Sequence, residues 1–272
     1  MTPNTPLTDT HALALHRTRA TPEGLFLQES AADEVKDRLS LVNRPFTRAA
    51  VVTPFPDLWR AHMPDARIVA DEEVLALEPG THDLVIHAMS LHWANDPVGQ
   101  LIQCRRSLSA DGLLIAATFG GPTLSELRSC LADAEIAQTG GLSPRVAPMG
   151  EIRDWGALLQ RAGFALPVAD SLTIPVEYRD AFHLMHDLRA MGEANAMAAR
   201  ERHGAQRQVM TEAARVYSNQ FADADGRIPA SFELIFLTGW APDDSQPKPL
   251  RPGSATTRLA DALGATEKPL KD

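Results

Sequence analysis

The segment Asp83–Asp96, reading DLVIHAMSLHWAND, gathers the side chains best suited to chemistry. Asp83–Met89 is the strongest candidate for a buried strand, and Ser90, His92 and Trp93 follow its carboxyl end. In an open parallel sheet, ligands bind at that end of the strands. A histidine there can hydrogen-bond a ligand or move a proton, and a tryptophan can wall a pocket. A packing tryptophan beside a capped loop histidine is the competing explanation. A second candidate is Gly120-Gly121, which precedes a helix start where Thr123 and Glu126 have capping-box spacing. Two glycines ahead of a helix N-terminus can admit an anionic group, although an ordinary strand-to-helix loop has the same composition. His183 and His186, three apart with Asp187 alongside, have the spacing of a metal pair, but the polar stripe of a helix surface explains them better. No metal site is assigned, and there is no nucleophile elbow of the G-x-S-x-G kind.

These residues need a scaffold, and the apolar pattern supplies one. Short apolar runs at 49–52, 66–70, 83–89 and 112–119 alternate with helical stretches, which predicts a parallel sheet covered on both faces. A late strand over 231–240 pairs with 171–177. Helices are expected over 25–41, 57–63 and 97–109, the last opened by Asp96 as N-cap and Pro97 at N1. Two more are expected over 150–162, ended by Gly163, and over 180–191, ended by Gly192, with Phe182, Met185, Leu188 and Met191 as its apolar stripe. The fold class expected is α/β, mostly parallel with a late antiparallel pair. Residues 1–24 read as a flexible arm with a short basic helix around His16, Arg17 and Arg19. Residues 25–241 read as a single domain with a helical insertion at about 179–221, and 242–272 as an irregular tail.

The 272 residues carry 26 Lys+Arg against 35 Asp+Glu, a net charge of −9, and are 44% hydrophobic. That is enough apolar material for a core, and the acidic balance argues against a general nucleic-acid or anionic-membrane binder. The longest apolar run, Leu113–Ala117, is far shorter than the roughly 20 residues that span a bilayer, so no membrane insertion is expected. The first ten residues lack the charged and apolar regions of a signal peptide. Cys104 and Cys130 cannot build a disulfide framework, and a cytoplasmic location is expected.

Several blocks together resemble the class I S-adenosylmethionine-dependent methyltransferases (type 11), and most of all the family of the mitochondrial complex I assembly factor 5 and its bacterial relatives. They are VADEEV (69–74), SLHWANDP (90–97), ATFGGPTLSELR (117–128), GGLSPRVAPM (140–149), DWGALLQRAGF (154–164), FHLMHDLRAMGEAN (182–195) and RPGSAT (251–256). The resemblance implies a Rossmann-like sheet and S-adenosylmethionine as cofactor. It implies that Asp71, with Glu72 beside it, lies near the adenine amine, whose protons a carboxylate accepts. It places Met89 and Ser90 in the cofactor site and His92 and Trp93 at the reacting centre. It places Phe119, Gly120, Gly121, Asp187, Glu193 and Asn195 on the substrate side.

One part of the family pattern is missing. The family opens its sheet with a strand and a glycine-rich turn of the DxGxGxG type, then a second strand ending in an acid for the ribose hydroxyls. Here Ala49–Leu58 reads AAVVTPFPDL, with no glycine and two prolines. Proline fixes φ and removes an N–H donor, so it does not substitute for a glycine turn. About two dozen residues of the family pattern are absent before Val69, and the second strand and its acid go with them. Two readings stay open. In one, the chain keeps the fold and a partner surface, has a degraded cofactor site, and acts on or assembles a protein partner such as a respiratory complex I subunit. In the other, it is an active transferase with a rebuilt S-adenosylmethionine pocket and an unknown acceptor. Family relatives are linked to arginine hydroxylation of a complex I subunit, so the reaction is open even within the family.

Overall fold

The computed structural model describes residues 6–204, 206–247 and 264. The described residues up to Pro242 form one compact unit, and those from Asp243 onward belong to a second. In the second, the Asp243 carboxylate accepts the Ser245 N–H at 2.9 Å to shape a turn. The RPGSAT block lies outside the described residues.

The strands form where apolar runs can be buried on both sides. In chain order they are β1 (Ala49–Val52), β2 (Arg67–Val69), β3 (His82–Ala88), β4 (Leu108–Phe119), β5 (Ala165–Tyr178) and β6 (Ile228–Trp240). They make one sheet in the order β2-β1-β3-β4-β6-β5. The first four are parallel neighbours, β6 runs antiparallel to β4, and β5 pairs antiparallel with β6. The period of two sends Leu84, Ile86 and Ala88 of β3 and Leu113, Ile115 and Ala117 of β4 to one face. It sends Val85 of β3 and Leu114 and Ala116 of β4 to the other. Asp111-Gly112 lie at a bulge inside β4. The register with β3 shifts there, and Asp111 takes a left-handed φ of 56°.

Helices cover both faces. On the first lie α2 (Phe26–Leu41), α3 (Pro56–His62), α5 (Ser125–Thr139), α7 (Ala181–Ala190) and α8 (Arg207–Phe221), the last two filling the connection between β5 and β6. On the second lie α4 (Pro97–Ser107) and α6 (Ile152–Arg161). Asp96 caps α4 by accepting the Gly99 N–H at 2.8 Å, with Pro97 at N1. The capping box expected at Thr123 does not form. Leu124, at φ 56°, is the N-cap of α5, while the Thr123 hydroxyl donates to the Glu233 carbonyl and Glu126 accepts from Ser231. The stripe expected on α7 is rotated: Leu184, Leu188 and the following Met191 are buried, whereas Phe182 is 50% exposed.

Of the arm expected over 1–24, the described residues 6–24 fold against the domain. Helix α1 (Thr10–Arg17) is capped by Asp9, and its Leu13 packs with Trp93, Ala147, Ala196 and Met197. Asp9 N–H donates to the Ala196 carbonyl, Ala198 N–H to the Leu7 carbonyl, and Thr21 N–H to the Ala190 carbonyl. Gly24 sits so close that a Cβ there would lie 2.3 Å from the Ala190 carbonyl oxygen. The arm is polar in sequence because only a few of its side chains, Ala12 and Leu13 above all, carry the contact.

Candidate functional site

The path from β1 to β2 goes to one side of the sheet, and the path to β3 returns across β1. That reversal opens a crevice at the carboxyl ends of β1 and β3. A cavity of about 1370 Å³ lies there. Its walls come from the turn after β1 (Thr53, Pro54, Pro56), the loop after β2 (Asp71, Glu72, Glu73), the segment after β3 (Ser90, Trp93) and α1 (Arg17).

The turn after β1 is closed to ligands on its backbone side. Thr53 N–H donates to the Val69 carbonyl at 2.9 Å, and Phe55 N–H donates to the Thr53 hydroxyl oxygen at 3.0 Å. Pro54 and Pro56 have no N–H. The four residues 53–56 therefore offer no free backbone donor. Between β1 and β2 there is only α3, seven residues long, and the two strands pair directly. Asp71, the acid expected at the adenine amine, is held by Arg17: Nη1 lies 3.2 Å from Oδ1 and 2.9 Å from Oδ2. Arg17 Nη2 and the hydroxyl of Ser90, a residue only 2% exposed, are buried without a hydrogen-bond partner.

Beside the cavity, α7 and Gly192, at φ 77°, turn the chain so that Glu193 meets the segment after β3. Trp93 Nε1 donates to Glu193 Oε2 at 2.7 Å, and His92 Nε2 lies 3.2 Å from the same oxygen. The Thr118 hydroxyl is 3.4 Å from His92 Nδ1, and the Phe119 ring stacks edge-on at 4.8 Å from the imidazole. Burial pushes the Glu193 carboxyl up. The His92 charge and the hydrogen bonds from His92 and Trp93, with Arg17 further off, outweigh that and hold it below the ordinary range. Met89 sets the geometry of the turn: it is fully buried and left-handed at φ 48°, with its N–H on the Ala117 carbonyl. A non-glycine residue in that region is strained, and such residues concentrate at functional turns. The cluster can orient an imidazole.

The structure thus brings His92, Trp93, Phe119 and Glu193 together, and puts Asp71, Glu72 and Ser90 on the cavity. It does not bring the other expected residues there. A Cβ on Gly120 would lie 1.9 Å from Glu233 Oε2, and one on Gly121 2.1 Å from Glu151 Oε1. These glycines serve close packing against carboxylates, surroundings that disfavour an anion. Asp187 lies on α7 beside the exposed His186, 4.0 Å away, and its charge pushes the buried Tyr178 phenol up beyond what burial alone does. The Asn195 amide is spent on loops, donating to the Pro144 carbonyl at 2.8 Å and accepting from Met197 N–H at 3.0 Å. Arg17 was noted only as part of a basic helix, and nothing in its sequence neighbourhood points to Asp71, 54 residues away. Also missed was buried His87, whose Nε2 lies 2.8 Å from Gln100 Oε1. Burial holds its pKa below the usual value, so it stays neutral. Among the described residues no three His, Cys, Asp or Glu side chains group to hold a metal ion, and no helix is long and apolar enough to cross a membrane.

The strand order and the crevice define a Rossmann-like α/β fold of the class I methyltransferase type, shortened on the β1 side. No family model matches the chain. It is 34% identical to the arginine-hydroxylase NDUFAF5, mitochondrial, of Danio rerio over 249 residues, covering 92% of this chain and 71% of that protein. It is 42% identical to the Mus musculus protein of the same name over 73% of this chain, and spans 58% of that protein's length. A malonyl-[acyl-carrier protein] O-methyltransferase of Laribacter hongkongensis is 37% identical over 65% of this chain and 57% of that protein. The chain belongs to the NDUFAF5 family of class I methyltransferase-like proteins. A solved structure from Bacillus halodurans, described as a methyltransferase, superposes with a TM-score of 0.49 at 14% identity, covering 76% of this chain and 97% of that one.

Proposed function

We propose that this protein is an NDUFAF5-family member whose cofactor site is degraded, and that it acts on or helps to assemble a protein partner such as a respiratory complex I subunit. The observation that carries this reading is the turn after β1, where the only two N–H groups are already bonded and the other two residues are prolines. A methionine-derived nucleoside cofactor needs close backbone approach there, and these residues do not fit it. The Arg17–Asp71 pair supports the same reading, because the acid expected at the adenine amine already has a cation. The buried His92–Trp93–Glu193 cluster then braces the segment after β3 against the turn that follows α7. We place the protein in the cytoplasm, with Cys104 and Cys130 as free buried thiols.

Calorimetric titration with S-adenosylmethionine and S-adenosylhomocysteine tests the first half of the proposal. No heat up to millimolar ligand is expected, and micromolar binding, a free energy of about −8 kcal/mol, rejects it. Affinity capture tests the second half: recovery of a complex I subunit or assembly protein is expected, and recovery of neither rejects the partner. The second reading, an active methyltransferase with a rebuilt pocket and a small-molecule or protein acceptor, is favoured by the size of the cavity at the switch point.

A further inference from the structure

We infer that the outer edge of β5 is a surface through which two copies of this chain pair, strand against antiparallel strand, about a two-fold axis at Ser171. The inference is independent of what the crevice at β1 and β3 binds.

The register decides which way the β5 backbone faces. β5 ends the sheet order, and among the described residues only β6 pairs with it. Opposite Thr173 stands Glu233, whose N–H donates to the Thr123 hydroxyl oxygen and whose carbonyl accepts from Gly120 N–H, both on the β4 side. Opposite Pro175 stands Ser231, whose carbonyl accepts from Leu124 N–H on the same side. In an antiparallel ladder each residue turns its N–H and C=O to one side, and neighbours alternate. Thr173, Ser171 and Ala169 therefore turn both groups to the free edge, where Pro175 has no N–H to offer.

Edge strands are ordinarily blunted by charge, proline or a bulge. β5 is blunted at its ends, by a register shift after Ala165 with Leu166 at φ 49° and Pro167, and by Pro175. The window between them, 168–174, reads VADSLTI and is not blunted. It has no Lys, Arg or Gly, and Val168 is 56% and Leu172 36% exposed. Its one charge, Asp170, is held by Arg38.

The symmetry of that window names the occupant. Pro167 and Pro175 lie equally far from Ser171 along the chain. A two-fold axis at Ser171 sets each copy's Pro175 opposite the other's Pro167, so no N–H is stranded at either end. Ala169 then pairs with Thr173 of the second copy and Ser171 with Ser171, each pair exchanging both N–H···O bonds. Val168 meets Ile174 of the second copy, an apolar cross-strand pair. The axis brings together two Arg38–Asp170 ion pairs rather than two bare carboxylates. The contact is isologous and closes on itself. A window of this length falls short of the roughly 20–30 residues a side of a standard interface, so the dimer exchanges with monomer.

The test is sedimentation velocity on the full chain from about 10 µM to about 1 mM, the range suited to a small interface, beside cysteine cross-linking. A reversible monomer–dimer equilibrium is expected. Val168→Lys, which charges the edge, and Ser171→Pro, which removes the central N–H, are each expected to weaken it at least about tenfold. Val168→Lys alters only an exposed side chain, so it reads the interface even where the proline variant fails to fold. Ser171→Cys is expected to cross-link to itself under mild oxidation, because such a pair holds its Cα atoms about 5.5 Å apart, within the disulfide range. Thr173→Cys faces Ala169 of the second copy and is expected to stay uncross-linked. Cys104 and Cys130 are buried and do not compete. A chain that sediments as monomer at the top of the range overturns the inference. So does a dimer unchanged by Val168→Lys and Ser171→Pro, which would use another surface. Cross-linking of Thr173→Cys as fast as Ser171→Cys overturns it too, since the register would then be different.

Discussion

The two sides of the β3 carboxyl end are built on opposite principles. Toward β4, His92, Trp93, Thr118 and Glu193 form a closed network, with one buried carboxylate oxygen meeting two ring nitrogens. Toward β1 lies a cavity of about 1370 Å³ whose wall keeps two buried donors unbonded. Buried polar groups are normally satisfied, so the first side is a completed network, while the second is an open crevice beside which Arg17 Nη2 and the Ser90 hydroxyl stay buried and unbonded. The short β1–β2 connection goes with the contrast. With β2 paired directly to β1, the proline turn and α1 line what remains of the crevice.

The largest effect is expected from breaking the closed side. Glu193→Ala orphans the Trp93 N–H and His92 at once and should cost about 3 kcal/mol in urea unfolding, as removal of one member of a buried network does. Glu193→Gln, which keeps an acceptor for Trp93, should cost only about 1 kcal/mol. Equal costs for the two substitutions would show that packing, not the carboxylate, holds the cluster.

Next comes the anchoring of the N-terminal segment, which forms one wall of the open side. Gly24→Ala drives a methyl group against the Ala190 backbone and should cost about 2 kcal/mol. Limited proteolysis should then cut within residues 6–24 while α5 and β6 stay protected. Protection of 6–24 in the variant would mean that the segment is held elsewhere.

A smaller effect separates the regions by pH. Burial raises the Glu135 carboxyl, but Arg145 and the Ser143 hydroxyl and N–H hold it down to about 2, from an ordinary 4.5. Glu193 is lowered in direction too. A depressed carboxyl contributes stability that is complete above its unfolded pKa and is lost as pH falls through the folded one. Urea midpoints should hold steady down to about pH 5 and decline between about pH 4.5 and 2. Glu135→Gln should flatten that decline, and an unchanged slope would remove Glu135 as its source. The smallest expected effect is Pro54→Gly, a loss of about 0.5–1 kcal/mol through a freer unfolded chain. A gain in stability would mean that the proline turn is strained.

Sheet, helices and family were legible because their signals are local. Continuous apolar runs give buried strands, Asp96-Pro97 opens α4, Gly163 and Gly192 close α6 and α7, and the SLHW block falls right after β3. The site was legible only in part. His92 and Trp93 stand next to a strand end, but their meeting with Glu193, 100 residues on, depends on how α7 packs. Thr123 and Glu126 show that a local pattern can be outbid: β6 offers the Glu233 carbonyl and the Ser231 hydroxyl, and the capping box gives way to them.

The sequence by itself determined the α/β architecture, the family, and the absence of glycine from the turn after β1, since each depends on residue type and spacing along the chain. Tertiary structure alone decided that α1 seals against the MGEAN loop, that Arg17 holds Asp71, and that Arg17 Nη2 and Ser90 are left without partners. Pairing between distant segments is set by which surfaces fit when the core closes, and no period in the sequence records it.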